Sequence, residues 1–120
     1  MNIRMIAHRA ASLSALSFIA AVMFAPSAAL AADAAAAQAL ARQNNCFKCH
    51  AVDKKKEGPA WKEVALKLKS DKDAEAKLYK HLTTGPKVKF EDGHEEDHPI
   101  IKAKSPDDTK NLVAWILSLQ

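Results

Sequence analysis

A single pentapeptide, Cys46-Phe47-Lys48-Cys49-His50, constrains this chain more strongly than any other part of its sequence. The chain has two cysteines, and because they stand three positions apart they cannot close the long kind of loop that a disulfide stabilises best. In a helical turn, residues three apart lie on one face, so both thiols can react with the same bound group. The imidazole of His50 is the next side chain in the sequence. The pentapeptide therefore indicates that two sulfurs and an imidazole bind one and the same group.

The pattern C-x-x-C-H is typical of covalent haem attachment, in which the two thiols add to the vinyl groups and the histidine binds the iron. A thioredoxin-like redox pair would need a βαβ pattern around the cysteines, and this sequence has none. A structural zinc site would need four ligands, and no second cysteine pair exists. We therefore predict one covalent haem c, attached at Cys46 and Cys49, with His50 as the proximal axial iron ligand.

The first quarter of the chain has the pattern of an export signal rather than of a folded domain. Two arginines precede an apolar run over residues 10–25, and residues 29–31 form an A-x-A cleavage pattern. This arrangement is typical of a cleaved secretory signal peptide, and the apolar run is shorter than the ~20 residues that span a bilayer. We predict that residues 1–31 are removed and that residues 32–120 form one domain in the periplasm, without stable membrane insertion.

Removing 31 of the 120 residues changes the methionine content, the net charge and the size of the remaining chain. All three methionines, Met1, Met5 and Met23, leave with the signal, as do two of the 18 basic residues. The remaining 16 basic and 14 acidic residues give a charge near +2, an excess too small to indicate nucleic-acid binding. A domain of 89 residues also buries a modest share of its surface, so we expect a buried cofactor to contribute to its stability.

The remaining sequence predicts an all-α domain. Asp33 can cap an Ala-rich helix that runs to about Cys46. Apolar residues at helical spacing predict a short helix over residues 61–68, and a further helix begins at Asp71 or Asp73 and stops before Gly85-Pro86.

The second half of the domain combines a long connection with a final helix. Residues 85–104 carry glycines and prolines without a regular period, so we expect an irregular, functional loop and no strand. Ser105 can then cap the last helix, with Pro106 at its first position and two acids in its first turn.

Three stretches together make the chain resemble the class I monohaem cytochromes c of bacterial periplasms. They are the pentapeptide 46–50, Gly58-Pro59-Ala60-Trp61 and Leu112-Val113-Ala114-Trp115-Ile116-Leu117. The resemblance covers essentially all of the chain after the signal. It implies a small class I cytochrome c-like fold, in which the first and last helices cross while shorter helices and a long distal loop surround one haem.

The resemblance also implies two specific contacts. Trp115 should pack near the small residues Ala37 and Ala41, where the first and last helices meet. The carbonyl group of Pro59 should accept a hydrogen bond from Nδ1–H of His50, which would determine which ring nitrogen faces the iron.

The sixth iron ligand is where this sequence departs from the family. The family's usual ligand is a methionine in a proline-containing loop ahead of the last helix, and every methionine here precedes the domain. His98, directly before Pro99, stands at about the position of that methionine and is our predicted distal axial ligand. His94 is the alternative candidate for this ligand, and His81 is interpreted as an ordinary surface or core histidine. An open or water-bound iron, or a lysine or asparagine ligand, is a further alternative.

Acidic residues surround the candidate distal ligands and bear on the reduction potential. They are Glu91, Asp92, Glu95, Glu96 and Asp97. A thioether ligand raises the potential of haem iron, so an imidazole in its place predicts a lower one. Negative charge nearby acts in the same direction by stabilising ferric iron, although solvent screens it. A separate cation site made of these acids with His94 and His98 is a minor alternative.

A six-coordinate haem offers no open position to a substrate, which favours one-electron transfer over catalysis. Lysines around the motif could dock acidic redox partners in the periplasm, or could serve only solubility. They are Lys48, Lys54, Lys55, Lys56 and Lys62. Two alternatives stay open. One is a gas-binding or sensing protein, or a peroxidase, with an open or labile sixth position, and the other is the electron-accepting haem subunit of a periplasmic dehydrogenase.

Overall fold

The structure, a computed structural model, describes residues 31–120. In chain order its elements are α1 (Ala34–Gln43), a 3₁₀ turn (Cys46–Lys48), α2 (Trp61–Leu68), α3 (Ala74–Thr84), β1 (Lys87–Lys89), β2 (Glu95–Asp97) and α4 (Pro106–Leu117). The predicted signal peptide, residues 1–31, lies outside the described residues except for its last position. Between residues 31 and 120, no helix is long and apolar enough to cross a membrane.

The last helix, α4, is the centre of the domain, because α1, α2 and α3 all pack against it. The buried side chains of the four helices form one core. Its members are Ala37, Leu40, Ala41, Trp61, Leu82, Leu112, Val113, Trp115 and Ile116. Trp115 therefore shares the core with the small residues Ala37 and Ala41, and the apolar spacing of the sequence marks the core face of each helix.

Side-chain caps define where α1 and α4 begin. The Asp33 carboxylate accepts a hydrogen bond from the backbone N–H of Ala36, 2.9 Å away. The Ser105 hydroxyl accepts from the N–H of Asp108 at 3.3 Å, and the Asp108 carboxylate accepts from the N–H of Ser105 at 3.1 Å. This reciprocal arrangement satisfies N–H groups that have no partner within the helix. Both helices thus start where the sequence predicts.

Two asparagines tie the ends of α1 to the segment around α4. The Asn111 side chain exchanges two hydrogen bonds with the backbone of Asp33, at 2.8 and 2.9 Å. At the other end, the Asn44 amide donates to the Lys102 carbonyl at 3.1 Å and its oxygen accepts from the Lys102 N–H at 2.8 Å. These contacts join parts of the chain that are far apart in sequence, so they help to set how α1 lies against α4.

The start and end of α3 are set by three residues. Asp73 occupies the position before the helix without capping it, and the carboxylate of Asp71 accepts a hydrogen bond from the N–H of Asp73 at 2.9 Å. At the far end Gly85 adopts the left-handed conformation, with φ of 59°. This conformation costs glycine little, so the chain can leave the helix abruptly there.

The segment predicted to be an irregular loop without strands contains a short antiparallel hairpin. β1 and β2 pair with Lys87 opposite Asp97 and Lys89 opposite Glu95, so opposite charges face each other across the strands. The prediction of no strand was wrong because every residue of β2 is exposed. A fully exposed strand lacks the alternation of apolar and polar residues by which strands are recognised in sequence.

Ser105→Ala is expected to lower the free energy of unfolding by about 1 kcal/mol, because the N–H of Asp108 loses its side-chain acceptor. Urea unfolding of the haem-loaded protein, followed by circular dichroism, measures the change. Ser70→Ala is the matched control, since Ser70 is exposed and lies outside every helix. Equal losses in the two variants would show that the capping box contributes nothing specific.

Candidate functional site

A cavity of about 660 Å³ opens among α2, α3, α4 and the segment that carries the hairpin. Its wall includes Cys46, Cys49, His50 and His98. Apolar side chains make up most of the remaining wall, namely Trp61, Val64, Leu68, Leu78, Leu82, Val88, Phe90, Ile100, Ile101, Leu112 and Ile116. This size and lining suit a large, mostly apolar ligand that is oriented by a few polar groups.

The two cysteines reach the cavity through a change of backbone direction after α1. The helix ends at Gln43, earlier than the predicted end near Cys46, because Asn45 takes the left-handed conformation with φ of 56°. Asparagine tolerates this conformation better than most residues do. The following 3₁₀ turn, in which the N–H of Cys49 bonds to the carbonyl of Cys46 at 3.3 Å, brings both cysteines to the cavity wall.

The surroundings of the two thiols differ from those of catalytic cysteines. Burial raises the pKa of Cys46. Burial also raises the pKa of Cys49, and so does its hydrogen bond to the carboxylate of Glu57, 3.4 Å from the sulfur. Catalytic and redox-active cysteines usually have a lowered pKa, because the thiolate is the reactive form. The pair is therefore unlike a thioredoxin-type redox site.

His50 is held by the loop that follows it. Its Nδ1 lies 2.8 Å from the carbonyl oxygen of Pro59, the contact that the family resemblance implies. With the proton on Nδ1 donated to that carbonyl, Nε2 keeps its lone pair for a metal. The ring also stacks on Trp61, with centroids 5.8 Å apart and an interplanar angle of 19°. The imidazole is thus oriented by one hydrogen bond and one aromatic contact.

Gly58 leaves the space that the His50 ring occupies. A Cβ atom at Gly58 would lie 2.5 Å from Cε1 and 2.9 Å from Nδ1 of His50. The loop is fastened on both sides of this point, since the N–H of Gly58 donates to the Cys49 carbonyl at 2.8 Å and the N–H of Trp61 donates to the Ala51 carbonyl at 2.9 Å. A side chain at this position would therefore displace the ring rather than the loop.

His98 lies half-buried on the cavity wall, with its ring centroid 6.2 Å from that of His50. Its Nδ1 is 3.0 Å from the carbonyl oxygen of Pro99, and its backbone N–H donates to the Pro86 carbonyl at 2.9 Å. Burial lowers the pKa of His98, and the neighbouring His81 lowers it further. A lowered pKa favours the neutral imidazole, the form that binds metals.

His94, the reserve ligand, lies apart from this group. It is exposed in the hairpin, stacks on Phe90 with centroids 4.3 Å apart, and pairs with the carboxylates of Asp92 and Glu96. The hydrogen bond with Asp92 raises the pKa of His94, which favours the charged form that does not bind metals. Within residues 31–120, His94 is absent from the cavity wall, and no cluster of His, Cys and acids is arranged to hold a separate metal ion.

His81 is a cavity residue that the sequence did not distinguish from an ordinary surface or core histidine. Its ring centroid lies 4.4 Å from that of His98, and burial lowers the pKa of its imidazole. It shares one face of α3 with Lys77, Leu78 and Leu82, which also line the cavity. This spacing of three and four residues is visible in the sequence, but it does not tell a cavity wall from a packed core.

The groups on the wall fit a haem c. Two imidazoles on opposite sides of one metal, with metal–nitrogen bonds of about 2.1 Å, place their ring centroids roughly 6–6.5 Å apart. The centroids of His50 and His98 are 6.2 Å apart. Cys46 and Cys49 stand beside His50, so one porphyrin edge could meet both sulfurs. The helical fold and this cavity define a c-type haem protein.

Comparisons with known proteins agree with this class. The family model for cytochrome c matches residues 34–120. The crystal structure of the class 1 cytochrome MtoD from Sideroxydans lithotrophicus ES-1 is 61% identical, with a TM-score of 0.71 over 74% of this chain and 98% of that one. Cytochrome c-552 of Nitrosomonas europaea is 39% identical over 81% of this chain and 92% of that protein. Cytochrome c-551 of Pseudomonas aeruginosa is 35% identical over 68% of this chain and 74% of that protein.

The chain belongs to the cytochrome c family. It is an electron-transfer protein with one covalently attached haem c, as the C-x-x-C-H motif predicts. The predicted all-α class I fold is also confirmed, and the exposed hairpin is a local departure within the distal segment.

Gly58→Ala is expected to push the His50 ring out of place, at a cost of about 1–3 kcal/mol for the overpacked contact. The expected result is a lower haem-to-protein ratio after expression and a lower melting temperature of the loaded protein. Absorption of the haem after denaturation in alkaline pyridine gives the ratio.

Gly93→Ala is the matched control, because φ there is +91° but, apart from its two chain neighbours, no residue has an atom within 4 Å of an added Cβ. It carries the backbone strain of alanine in that conformation without approaching His50. If both variants load haem equally well, the close approach of Gly58 to His50 does not matter.

Proposed function

We propose that this protein is a periplasmic one-electron carrier, in which His50 and His98 bind the iron of its haem c on opposite sides. One observation carries the proposal: the two imidazoles lie on one cavity at a centroid distance of 6.2 Å, and each Nδ1 is near a prolyl carbonyl. Both Nε2 atoms are then left for the metal. A haem held by both imidazoles would supply electron exchange and would leave no open position for a substrate.

The route to the periplasm forms part of the same proposal. Residues 1–31 have the basic start, apolar middle and A-x-A end of an export signal, and a single domain follows them. We infer that this segment is cleaved and that residues 32–120 are the working protein. Because all methionines precede residue 32, no thioether remains to bind the iron.

The proposed ligands and their surroundings both predict a lowered reduction potential. Replacing the family's methionine by an imidazole removes the thioether that raises the potential. Four carboxylates, from Glu57, Glu63, Glu96 and Asp97, also line the cavity and favour the extra positive charge of ferric iron. Three lysines on the same wall, Lys67, Lys77 and Lys89, offset part of this effect. All four acidic residues are exposed, so solvent weakens their effect and the ligand contributes more.

His98→Ala is expected to change the electron paramagnetic resonance spectrum of the ferric protein, because it removes one axial ligand. His94→Ala is the matched control on an exposed histidine and should leave the spectrum as in the wild type. The wild type itself should be low-spin, without the weak far-red band of iron bound to a thioether. Its midpoint potential should lie below that of a Met/His class I cytochrome in the same buffer.

Two outcomes would contradict this coordination. One is a far-red thioether band in the wild type, which would indicate that a methionine remains after processing and binds the iron. The other is an unchanged spectrum in His98→Ala together with a changed one in His94→Ala, which would assign the ligand to the hairpin.

Lysines around the haem motif are the proposed docking groups for an acidic partner. Lys55 pairs with Glu91, and Lys62 pairs with Asp53, so these two charges are partly compensated. In the described part of the chain, no carboxylate pairs with Lys48 or Lys54, which are both exposed. We therefore propose that these two lysines contribute most to attraction of a partner, with Lys56 beside them.

Replacing Lys48 and Lys54 together by glutamine should slow oxidation of the ferrous protein by the anionic reagent hexacyanoferrate(III). The expected effect is about two- to fivefold at low ionic strength, fading at high salt as the charges are screened. Stopped-flow absorption measures both rates. The matched control is Lys69→Gln with Lys72→Gln, which removes two exposed lysines from the connection between α2 and α3, away from the haem motif in sequence. Equal slowing in both double variants would mean that only net charge matters.

A further inference from the structure

Three of the four histidines that follow the predicted signal converge on one cavity. His50 holds one side, and the rings of His81 and His98 lie together, with centroids 4.4 Å apart and a tilt of 57°. Both of these imidazoles are half-buried. One distal ligand is enough for a six-coordinate iron, so the second imidazole has no place in the proposed coordination.

The two neighbouring histidines belong to elements that differ in how much they pack against the core. His81 lies in α3, which packs against α4 and buries Leu82 in the core. His98 follows β2, a strand of exposed residues in a sheet of two short strands. Two-stranded hairpins have marginal stability, and segments with few buried contacts open at lower free energy than the core. Opening of the hairpin would withdraw His98 and leave His81 in place.

His98 is nevertheless held directly against the end of α3 while the hairpin is closed. Its N–H donates to the Pro86 carbonyl at 2.9 Å. A Cβ on Gly85 would lie only 2.7 Å from the His98 carbonyl oxygen, so the two backbones approach closely. The two imidazoles therefore reach the same part of the cavity from adjoining pieces of backbone.

We propose that His81 is a second distal ligand, which binds the iron when His98 is removed or withdrawn. The inference rests on the proposed coordination by His50 and His98. The separation of 4.4 Å between the two rings is the distance that the His81 imidazole has to cover. A change of side-chain rotamer moves an imidazole by this order of distance once the volume of the His98 ring is vacant.

The consequence is an iron that stays six-coordinate in two arrangements of the distal segment. The loop can then open without exposing an axial position, because an imidazole from the helix takes the place of the one from the loop. The two arrangements differ in ring orientation and in the element that carries the ligand. Their populations follow from the difference in free energy between the open and closed hairpin.

The test uses the haem-loaded protein with His98→Ala, His81→Ala and both changes together. Ferric absorption and electron paramagnetic resonance spectra report spin state and ligand orientation. His98→Ala should remain mainly low-spin with shifted g values, His81→Ala should match the wild type, and the double variant should become mainly high-spin. His98→Ala with His94→Ala is the matched double control and should behave as His98→Ala alone.

The other outcomes separate this inference from the proposed function. If His98→Ala is already high-spin and His81→Ala adds nothing to it, His81 does not reach the iron, and coordination by His50 and His98 stands. If His81→Ala alone shifts the g values and His98→Ala does not, His81 is the native ligand and both proposals are overturned. A double variant that stays low-spin with the g values of His98→Ala shows that a group other than His81 replaces His98, which overturns the inference about His81 and leaves coordination by His50 and His98 standing.

Addition of imidazole to the double variant tests whether its haem site is still folded. Recovery of the low-spin spectrum shows that the proximal side and the cavity are intact, so the high-spin state supports the proposal. Failure to recover shows a collapsed site instead. In that case the wild type and His81→Ala are compared in increasing urea below the unfolding transition. A second low-spin form in the wild type that His81→Ala lacks supports the proposal, and identical spectra overturn it.

Discussion

The hydrogen bond between Nδ1 of His50 and the carbonyl of Pro59 is the contact on which the haem site depends, because it orients the ring beside both cysteines. The loop that presents this carbonyl is fastened back to Cys49 through the N–H of Gly58. At Gly58 itself a Cβ would meet the ring. One acceptor, one backbone bond and one missing side chain therefore leave a single orientation for the proximal imidazole.

Trp61 connects this local arrangement to the rest of the fold. Its ring stacks on His50 and meets Trp115 of α4 edge-on, with centroids 5.3 Å apart. Because α1, α2 and α3 all pack on α4, the proximal ring rests on the element around which the domain is built. The apolar cavity beside it would be a large void without a cofactor, so the haem completes the core of a small domain as well as serving redox chemistry.

The distal side is assembled by a different route. His98 is far from His50 in sequence and reaches the cavity because α3 stops at Gly85 and the hairpin returns the chain to Pro86. Its support is therefore a turn and a few backbone bonds next to an exposed sheet, whereas the proximal side is supported by the core. Under the proposed coordination, the second imidazole lies on α3, an element that packs in the core and is therefore expected to open less readily than the hairpin.

Short-range features of this protein are determined by its sequence alone. The C-x-x-C-H spacing, the caps at Asp33 and Ser105 and the apolar faces of the helices depend on neighbours within a few residues, so they could be predicted together with the fold class and the haem. The hairpin could not, because its strands are exposed and have no apolar alternation. The meeting of His81 with His98 was decided only by the tertiary structure, because it depends on how the chain returns to the end of α3 after the hairpin. For Cys46, Cys49 and His50 the chemistry is local and readable from sequence. On the opposite side of the cavity, long-range backbone contacts decide that His81 and His98 lie together on the wall.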